Sequence, residues 1–318
     1  MTADIPPGYR VARPARADLA PVAGLLEARD LARFGAVTTP PESLTQLWDL
    51  PRFTPHADSW LIEDAGGRLA GYAGVFLTTP PAGLYADLFV HPDDDESGVD
   101  VLLLQSVERR ALELAAAAPA EVPVTLNVYA PRVDARLCVV LAAAGYAATR
   151  SSFHMVVDLP AHPPHADPPA GIRIETLRPG RDERAVFAAL DAAFRDTPRY
   201  MPQEFEDFVH SDLENPLFDP GLWMLAWDGG EIAGVAGAYD YPAGPEIDVV
   251  AVRPEWRRRG IARALLLRAF ATLAQRGRTT AHLSVDAANE LGAVQLYESA
   301  GMRPAQVFDC FRKTLSPA

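Results

Sequence analysis

Residues 246–267 read EIDVVAVRPEWRRRGIARALLL, the most informative stretch of the chain. The run EIDVVAV is β-branched and apolar, the composition of a strand. Proline at 254 ends it in the turn Arg253-Pro254-Glu255-Trp256, and an apolar helical run opens at Gly260-Ile261. A helix N-terminus presents unpaired N–H groups and the positive end of its dipole, so a strand, a basic turn and a helix in this order build an anion site. Gly260 lets the backbone approach a diphosphate closely, and the small Ala262 leaves the first turn beside Ile261 uncrowded. Arg257, Arg258, Arg259 and Arg263 offer paired N–H donors for phosphate oxygens. The plainer alternative is a basic turn that merely caps a helix. A nucleotide P-loop would need G-x-x-x-x-G-K-[ST], and the chain contains none.

The same pattern recurs earlier in the chain. Gly8-Tyr9-Arg10-Val11 matches Gly171-Ile172-Arg173-Ile174, and Trp60 followed by Ala70-Gly71-Tyr72-Ala73-Gly74 matches Trp223 followed by Ala233-Gly234-Val235-Ala236-Gly237. Gly66-Gly67 and Gly229-Gly230 mark a hairpin in each copy. Leu88–Pro92 matches Val250–Pro254, and Ala144-Gly145-Tyr146 matches Ala300-Gly301-Met302. Matches in constant order at nearly constant separation indicate a duplication. Between the copies lies PAHPPHADPP, a proline-dense linker in which His162 and His165 are read as solvated and not as metal ligands. The expected domains are therefore 1–159, a linker at 160–170, and 171–318. Each copy reads strand, helices, a three-stranded meander, helix, strand, helix and closing strand. That order predicts a mixed α/β fold with a largely antiparallel sheet and helices on both faces. In the second copy helices are expected near 181–195, 202–212, 260–276 and 289–299.

The segment around Gly260 resembles the acyl-CoA signature of the GNAT superfamily, (Q/R)-x-x-G-x-(G/A), matched by Arg257, Gly260 and Ala262. The resemblance implies acetyl-CoA as co-substrate, its pyrophosphate on the loop amides and its pantetheine arm along Val250, Ala251 and Val252. A second element, LSVDAANELGAVQLYESAGMRP at 283–304, carries Asn289 and Tyr297. Asn289 is read as a helix cap that, by the resemblance, also reaches the cofactor arm. Tyr297 is by the same resemblance an acid for the leaving thiolate; the alternative is a core aromatic.

Alternation along the strand puts Glu246, Asp248, Val250 and Val252 on one face, where a carboxylate could take the proton of an ammonium. Glu246 occupies the place at which mycothiol synthases carry a base, with Asp248 in reserve; solvated carboxylates are the bland reading of both. Tandem organisation with one active copy is shared with those enzymes. A backbone N–H near Val252 would hold the oxyanion. In the first copy Asp95 and Glu96 stand where Arg257 and Arg258 stand, Asp100 replaces Ala262, Leu84 matches Glu246 and Leu141 matches Tyr297. That copy is expected to lack the chemistry. Tyr200, Phe205, Glu204 and Glu206 are expected to line the acceptor cleft of the second.

The net charge of −13 argues against nonspecific nucleic-acid binding, and no apolar run reaches the length of a membrane span. Two cysteines, Cys138 and Cys310, cannot supply a disulfide framework and read as buried thiols of a cytoplasmic protein. The sequence implies no metal. The expected function is acetyl-CoA-dependent N-acetyl transfer to a small-molecule amine, the alternatives being a non-catalytic acyl-CoA-binding regulator or a protein N-acetyltransferase; the acceptor amine, the acyl-chain preference and the oligomeric state stay open.

Overall fold

A computed structural model describes residues 5–39, 41–49, 53–79, 83–116, 124–161, 167–197, 200, 202–241, 244–288 and 292–315. The chain forms two compact units, Met1–Ser152 with Gln306–Ala318, and Phe153–Ala305.

In the first unit β1 (Tyr9–Ala12) leads to α1 (Leu19–Phe34), α2 (Pro41–Trp48) and α3 (Pro55–Asp58). The meander β2 (Ser59–Asp64), β3 (Leu69–Thr79) and β4 (Gly83–Val90) is followed by α4 (Val99–Ala115), β5 (Val124–Pro131), α5 (Ala135–Ala143) and the start of β6 (Ala147–Asp158). The second unit repeats this with β7 (Ile172–Thr176), α6 (Glu183–Phe194) and α7 (Phe205–Phe208). Then come β8 (Trp223–Asp228), β9 (Glu231–Tyr241), β10 (Gly244–Val252), α8 (Ile261–Gln275), β11 (Thr280–Asp286), α9 (Ala293–Ser299) and β12 (Arg303–Leu315). Among the strand pairs whose register is described, β4–β5 and β10–β11 are parallel and the others antiparallel, so the expected mixed α/β fold with a largely antiparallel sheet is present.

Three local features differ from the expectations. The unit boundaries do not follow the linker: Phe308–Leu315 of β12 pair with Val124–Pro131 of β5, and Phe311 and Leu315 are buried in the first core. Conversely Met155, Val157 and Leu159 enter the second core. The closing strands are thus exchanged between the copies, and both have the same pattern, so sequence cannot tell which core each one joins. Next, the region expected as one helix over 202–212 is a single α-turn, α7, continued by a π-turn at Val209–Leu213. Finally, Trp60 and Trp223 are not equivalent. Trp223 pairs with Gly237 and packs in the cluster under α6, whereas Trp60 pairs with Ala73 and packs with α4. The two segments are equally long, but the first turn spans three residues (65–67) and the second two (Gly229-Gly230), which shifts the register by one, and a one-residue shift turns a side chain to the other face.

The helix on the far face sits close to the sheet because β9 has no side chain at Gly234. A Cβ there would meet the Ala251 carbonyl oxygen at 2.8 Å and the Leu265 side chain at 3.2 Å. Gly234→Ala should cost about 1–3 kcal/mol through overpacking and lower the melting temperature by several degrees. Gly230→Ala, with nothing within 4 Å of the added carbon, should melt nearly as wild type; equal losses at both sites would contradict the tight packing. Cys310 is buried, Cys138 only half so, and both are free thiols.

Candidate active site

The two glycine loops have the same frame and opposite chemistry. Gly260 precedes α8 in the left-handed region (φ 81°), and Gly98 precedes α4 in the same way (φ 85°). The second loop contains one further left-handed residue, Arg258 at φ 63°, the sole non-glycine of that kind among the described residues. A bulky residue held at positive φ is strained, and such strain is retained where the surroundings impose it. No side chain caps α8, so among the described residues the amides of Ile261, Ala262 and Arg263 meet no side-chain acceptor. Arg258 and Arg259 are exposed beside them.

In the first loop such amides find acceptors within the chain. Ser97 Oγ accepts the Val99 amide at 3.2 Å, and Asp100 Oδ1 accepts the Val101 amide at 2.8 Å. Asp100 is buried and held by Arg136 at 2.5 Å. Its own carboxylate therefore takes an amide of the first turn of α4 and brings a negative charge to it. Asp95, expected to repel a diphosphate, is instead paired with Arg33 at 2.5 and 2.6 Å.

The strand before the second loop departs from simple alternation. Glu246 pairs with Tyr239 and Ile247 with Ala238, but the next partner, Gly237, faces Val249. Asp248 is a β-bulge, and the extra residue reverses the faces beyond it. Glu246 and Val249 point toward α6, while Ile247, Val250 and Val252 pack with α8. The expected common face of Glu246, Asp248, Val250 and Val252 is therefore corrected: the carboxylates and the two valines lie on opposite sides. The bulge also moves the match in the first copy, which has none at this point. The register counterpart of Glu246 is Tyr85 and not Leu84, since Tyr85 pairs with Phe76 as Glu246 pairs with Tyr239. Tyr85 stacks between Phe76 and Tyr129, so an aromatic ladder replaces the acid.

Beyond Glu246 the sheet opens. β10 stays paired to β9 through Val252, but among the described residues its ladder with β11 consists of the single pair Glu246↔His282. In the first unit the corresponding ladder holds four pairs, from Gly83↔Thr125 to Ala86↔Val128. The edge of β10 from Val249 to Val252 that turns toward β11 is thus open to an extended ligand, which could add to it as a strand would.

The electrostatics of the carboxylate face are cooperative. Burial raises the Glu246 pKa, and the negative charge of Asp248 adds to the rise. Asp248 is lifted to about 6 by burial and then by Asp212. Asp212 itself is raised by burial, and Tyr239 donates to its carbonyl oxygen and carboxylate at 3.3 and 3.4 Å. Asp248 is nonetheless exposed. A group standing in an open recess can be both wetted and surrounded by low-dielectric protein, and the surrounding mass sets its pKa. Neighbouring His282 meets His154 of β6, ring nitrogens 3.3 Å apart. Burial lowers both, His154 to about 4 with help from His282. A histidine whose folded pKa lies below its ordinary value takes up its proton only at a cost. Stability should be full above pH 6.5 and fall as the pH drops toward 4, by roughly 2–3 kcal/mol. Urea unfolding at pH 7 and pH 4.5 would measure it, and His154→Gln should flatten the difference; an unchanged slope would remove the pair as its source.

Tyr297 lies in the core beside α8, and burial pushes its hydroxyl up to about 12. Its hydroxyl has no hydrogen-bond partner among the described residues. The carbonyl of Tyr297 accepts the Met302 amide as that of Leu141 accepts the Tyr146 amide, which supports the match of the two positions. The helix expected from 289 starts instead at Ala293, after Gly292 at φ 75°. Asn289 lies outside the described residues, as do His162 and His165.

On the α6 side a cavity of about 370 Å³ is lined by Phe187, Leu190, Asp191, Phe194, Thr197, Tyr200, Gln203 and Phe208. Tyr200, one of the residues expected at the acceptor cleft, is in this lining. Phe205 instead packs on Phe187 and Phe208, and Glu204 and Glu206 are exposed and outside the lining. The acid present is Asp191, already bonded to Tyr200 and Arg195. Asp212, Tyr239, His282 and Asp191 carry no sequence signal beyond their residue types, because segments distant along the chain bring them together.

Comparison with known proteins gives the family of the chain. The model of the acetyltransferase (GNAT) family matches residues 185–302. A mycothiol acetyltransferase of Thermobispora bispora is 34% identical over 258 residues, covering 78% of this chain and 81% of the relative. One from Salinispora arenicola is 30% identical and covers 95% and 96%. A solved GCN5-related N-acetyltransferase from Sphaerobacter thermophilus superposes with TM-score 0.87 at 30% identity, over 99% of this chain and 98% of that one. A tandem GNAT protein from the clavulanic acid biosynthesis pathway, 16% identical, shares the fold with TM-score 0.70 over 98% and 99%. The chain belongs to the GNAT family of acetyltransferases, as a member with two tandem copies of the fold.

Proposed function

We propose that the second unit transfers an acetyl group from acetyl-CoA to the primary amine of a small molecule, by direct attack in a ternary complex. The observation that carries this reading is the bulge at Asp248. It leaves Glu246 on the α6 side while Val250 and Val252 turn toward α8, just where β10 and β11 part. The residues fit the co-substrate. The amides of the Arg258–Arg263 loop would hold its pyrophosphate, with Arg258 and Arg259 beside them, and the open edge of Val250, Ala251 and Val252 its pantetheine arm. Bound there, acetyl-CoA supplies an acyl group activated as a thioester.

Glu246, with its raised pKa, takes the proton of the incoming ammonium directly or through water; a base poised closer to neutrality does this with less waste of driving force. Asp248 stands ready beside it. Tyr297, on the α8 side, stays protonated well above neutral pH and donates a hydrogen bond to the departing sulfur. Base and acid thus flank the opening from opposite faces, which lets amine and thioester approach from different sides. The apolar and aromatic walls of the 370 Å³ cavity suit an acceptor with an apolar or aromatic part. Because Asp191 is already paired, that cavity offers little net negative charge. Relatives named mycothiol acetyltransferases favour a small-molecule acceptor over a protein. The first unit, with an amide of its helix start taken by Asp100, is read as non-catalytic.

Calorimetric titration with acetyl-CoA, followed by a thiol-release screen of amines, tests the reading. One site per chain is expected. Two sites would mean that the first loop binds as well, and no binding would sink the proposal.

A further inference from the structure

Arg257 opens the signature, yet its guanidinium is already engaged. Its Nε donates to the Val252 carbonyl at 3.1 Å, and Nη2 to the Ala193 carbonyl at 2.7 Å. Nη1 and Nη2 together grip Asp196, just past the end of α6, at 2.5 and 2.9 Å. Four of the five N–H groups of an arginine are thereby used. The first unit holds the same brace with the charges exchanged. Asp95, at the position of Arg257, is gripped by Arg33 in the last turn of α1. A loop that has lost its anion cradle has kept the tie, so the tie serves the position of the loop and not its charge. Arg258, by contrast, is exposed and has no partner among the described residues.

We propose that Arg257 is a positioning residue that fastens the acyl-CoA loop to the end of α6, leaving phosphate to Arg258 and the loop amides. Because α6 also carries Asp191 and Phe194 of the cavity wall, the brace fixes the cofactor loop relative to the acceptor wall. The proposal rests on reading the loop as the acyl-CoA cradle.

Asp196→Asn separates the two roles for Arg257. A direct phosphate ligand freed from a competing carboxylate would bind acetyl-CoA equally well or more tightly. A positioning residue deprived of its partner should weaken binding, by roughly three- to tenfold. Arg257→Asp should weaken it further, and the exchange Asp196→Arg with Arg257→Asp, copying the first unit, should restore most of the loss. Tighter or unchanged binding in Asp196→Asn, or no recovery in the exchange, overturns the proposal. Limited trypsin digestion reads the same brace without ligand. Cleavage after Arg258 and Arg259 should quicken in Asp196→Asn while the melting temperature stays near wild type, and an unchanged rate counts against the brace. Absence of acetyl-CoA binding in the wild type would defeat the functional reading, leaving digestion to decide on the brace.

Discussion

Glu246→Gln is expected to lower turnover by roughly 10²–10⁴-fold, the usual contribution of a positioned general base, with acetyl-CoA affinity nearly unchanged. Glutamine preserves the size of the side chain and its place on β10 but accepts a proton far more weakly. The binding elements of the loop lie at the far end of the strand, so the loss should fall on kcat. The pH profile follows from the direction of the shift. Burial and Asp248 raise the Glu246 pKa, so the base is lost as pH falls through that raised value, at a higher pH than an ordinary glutamate would give. Asp248 titrates near 6, and its protonation relieves part of the repulsion that raises Glu246. The acid limb should therefore be broad. Full activity in Glu246→Gln would pass the base role to Asp248, for which Asp248→Asn is the matching variant.

Ala262→Asp should weaken acetyl-CoA binding by about 10- to 1000-fold. The first unit supplies the reason: Asp100, at the same place, accepts an amide of its own helix and brings a fixed negative charge to it. A carboxylate about 4 Å from a diphosphate costs about 1–4 kcal/mol in solvated to partly solvated surroundings. It also takes an amide that would otherwise bind phosphate. Ala262→Asn keeps the hydrogen-bond competition without the charge and should fall between the two. Binding by Ala262→Asp at wild-type affinity would show that phosphate does not sit on these amides.

Much of the fold is legible in the sequence. The signature at Arg257, Gly260 and Ala262, the order of strands and helices and the duplication all follow from local patterns, and most elements of the second copy lie near their expected places. Less of the site is legible. A β-bulge has no sequence mark in EIDVVAV, because it comes from pairing with β9, so alternation assigns the wrong faces beyond Asp248. The matches of Trp60 with Trp223 and of Leu84 with Glu246 fail for a related reason: residue offsets are not registers. A charge, too, reads differently without its partner. Asp95 looks repulsive in the sequence, although Arg33, far away along the chain, neutralises it.

Local pattern accounts for the strand–turn–helix around Gly260, the repeated architecture, and the residue types available for acid–base work. These depend on backbone propensity and on periodicity over a few residues, which the chain carries wherever it folds. Tertiary pairing accounts for which face each side chain takes, where β10 leaves β11, which core each closing strand enters and which charges are already paired. Those outcomes depend on contacts between segments tens to hundreds of residues apart, and no short-range pattern encodes them.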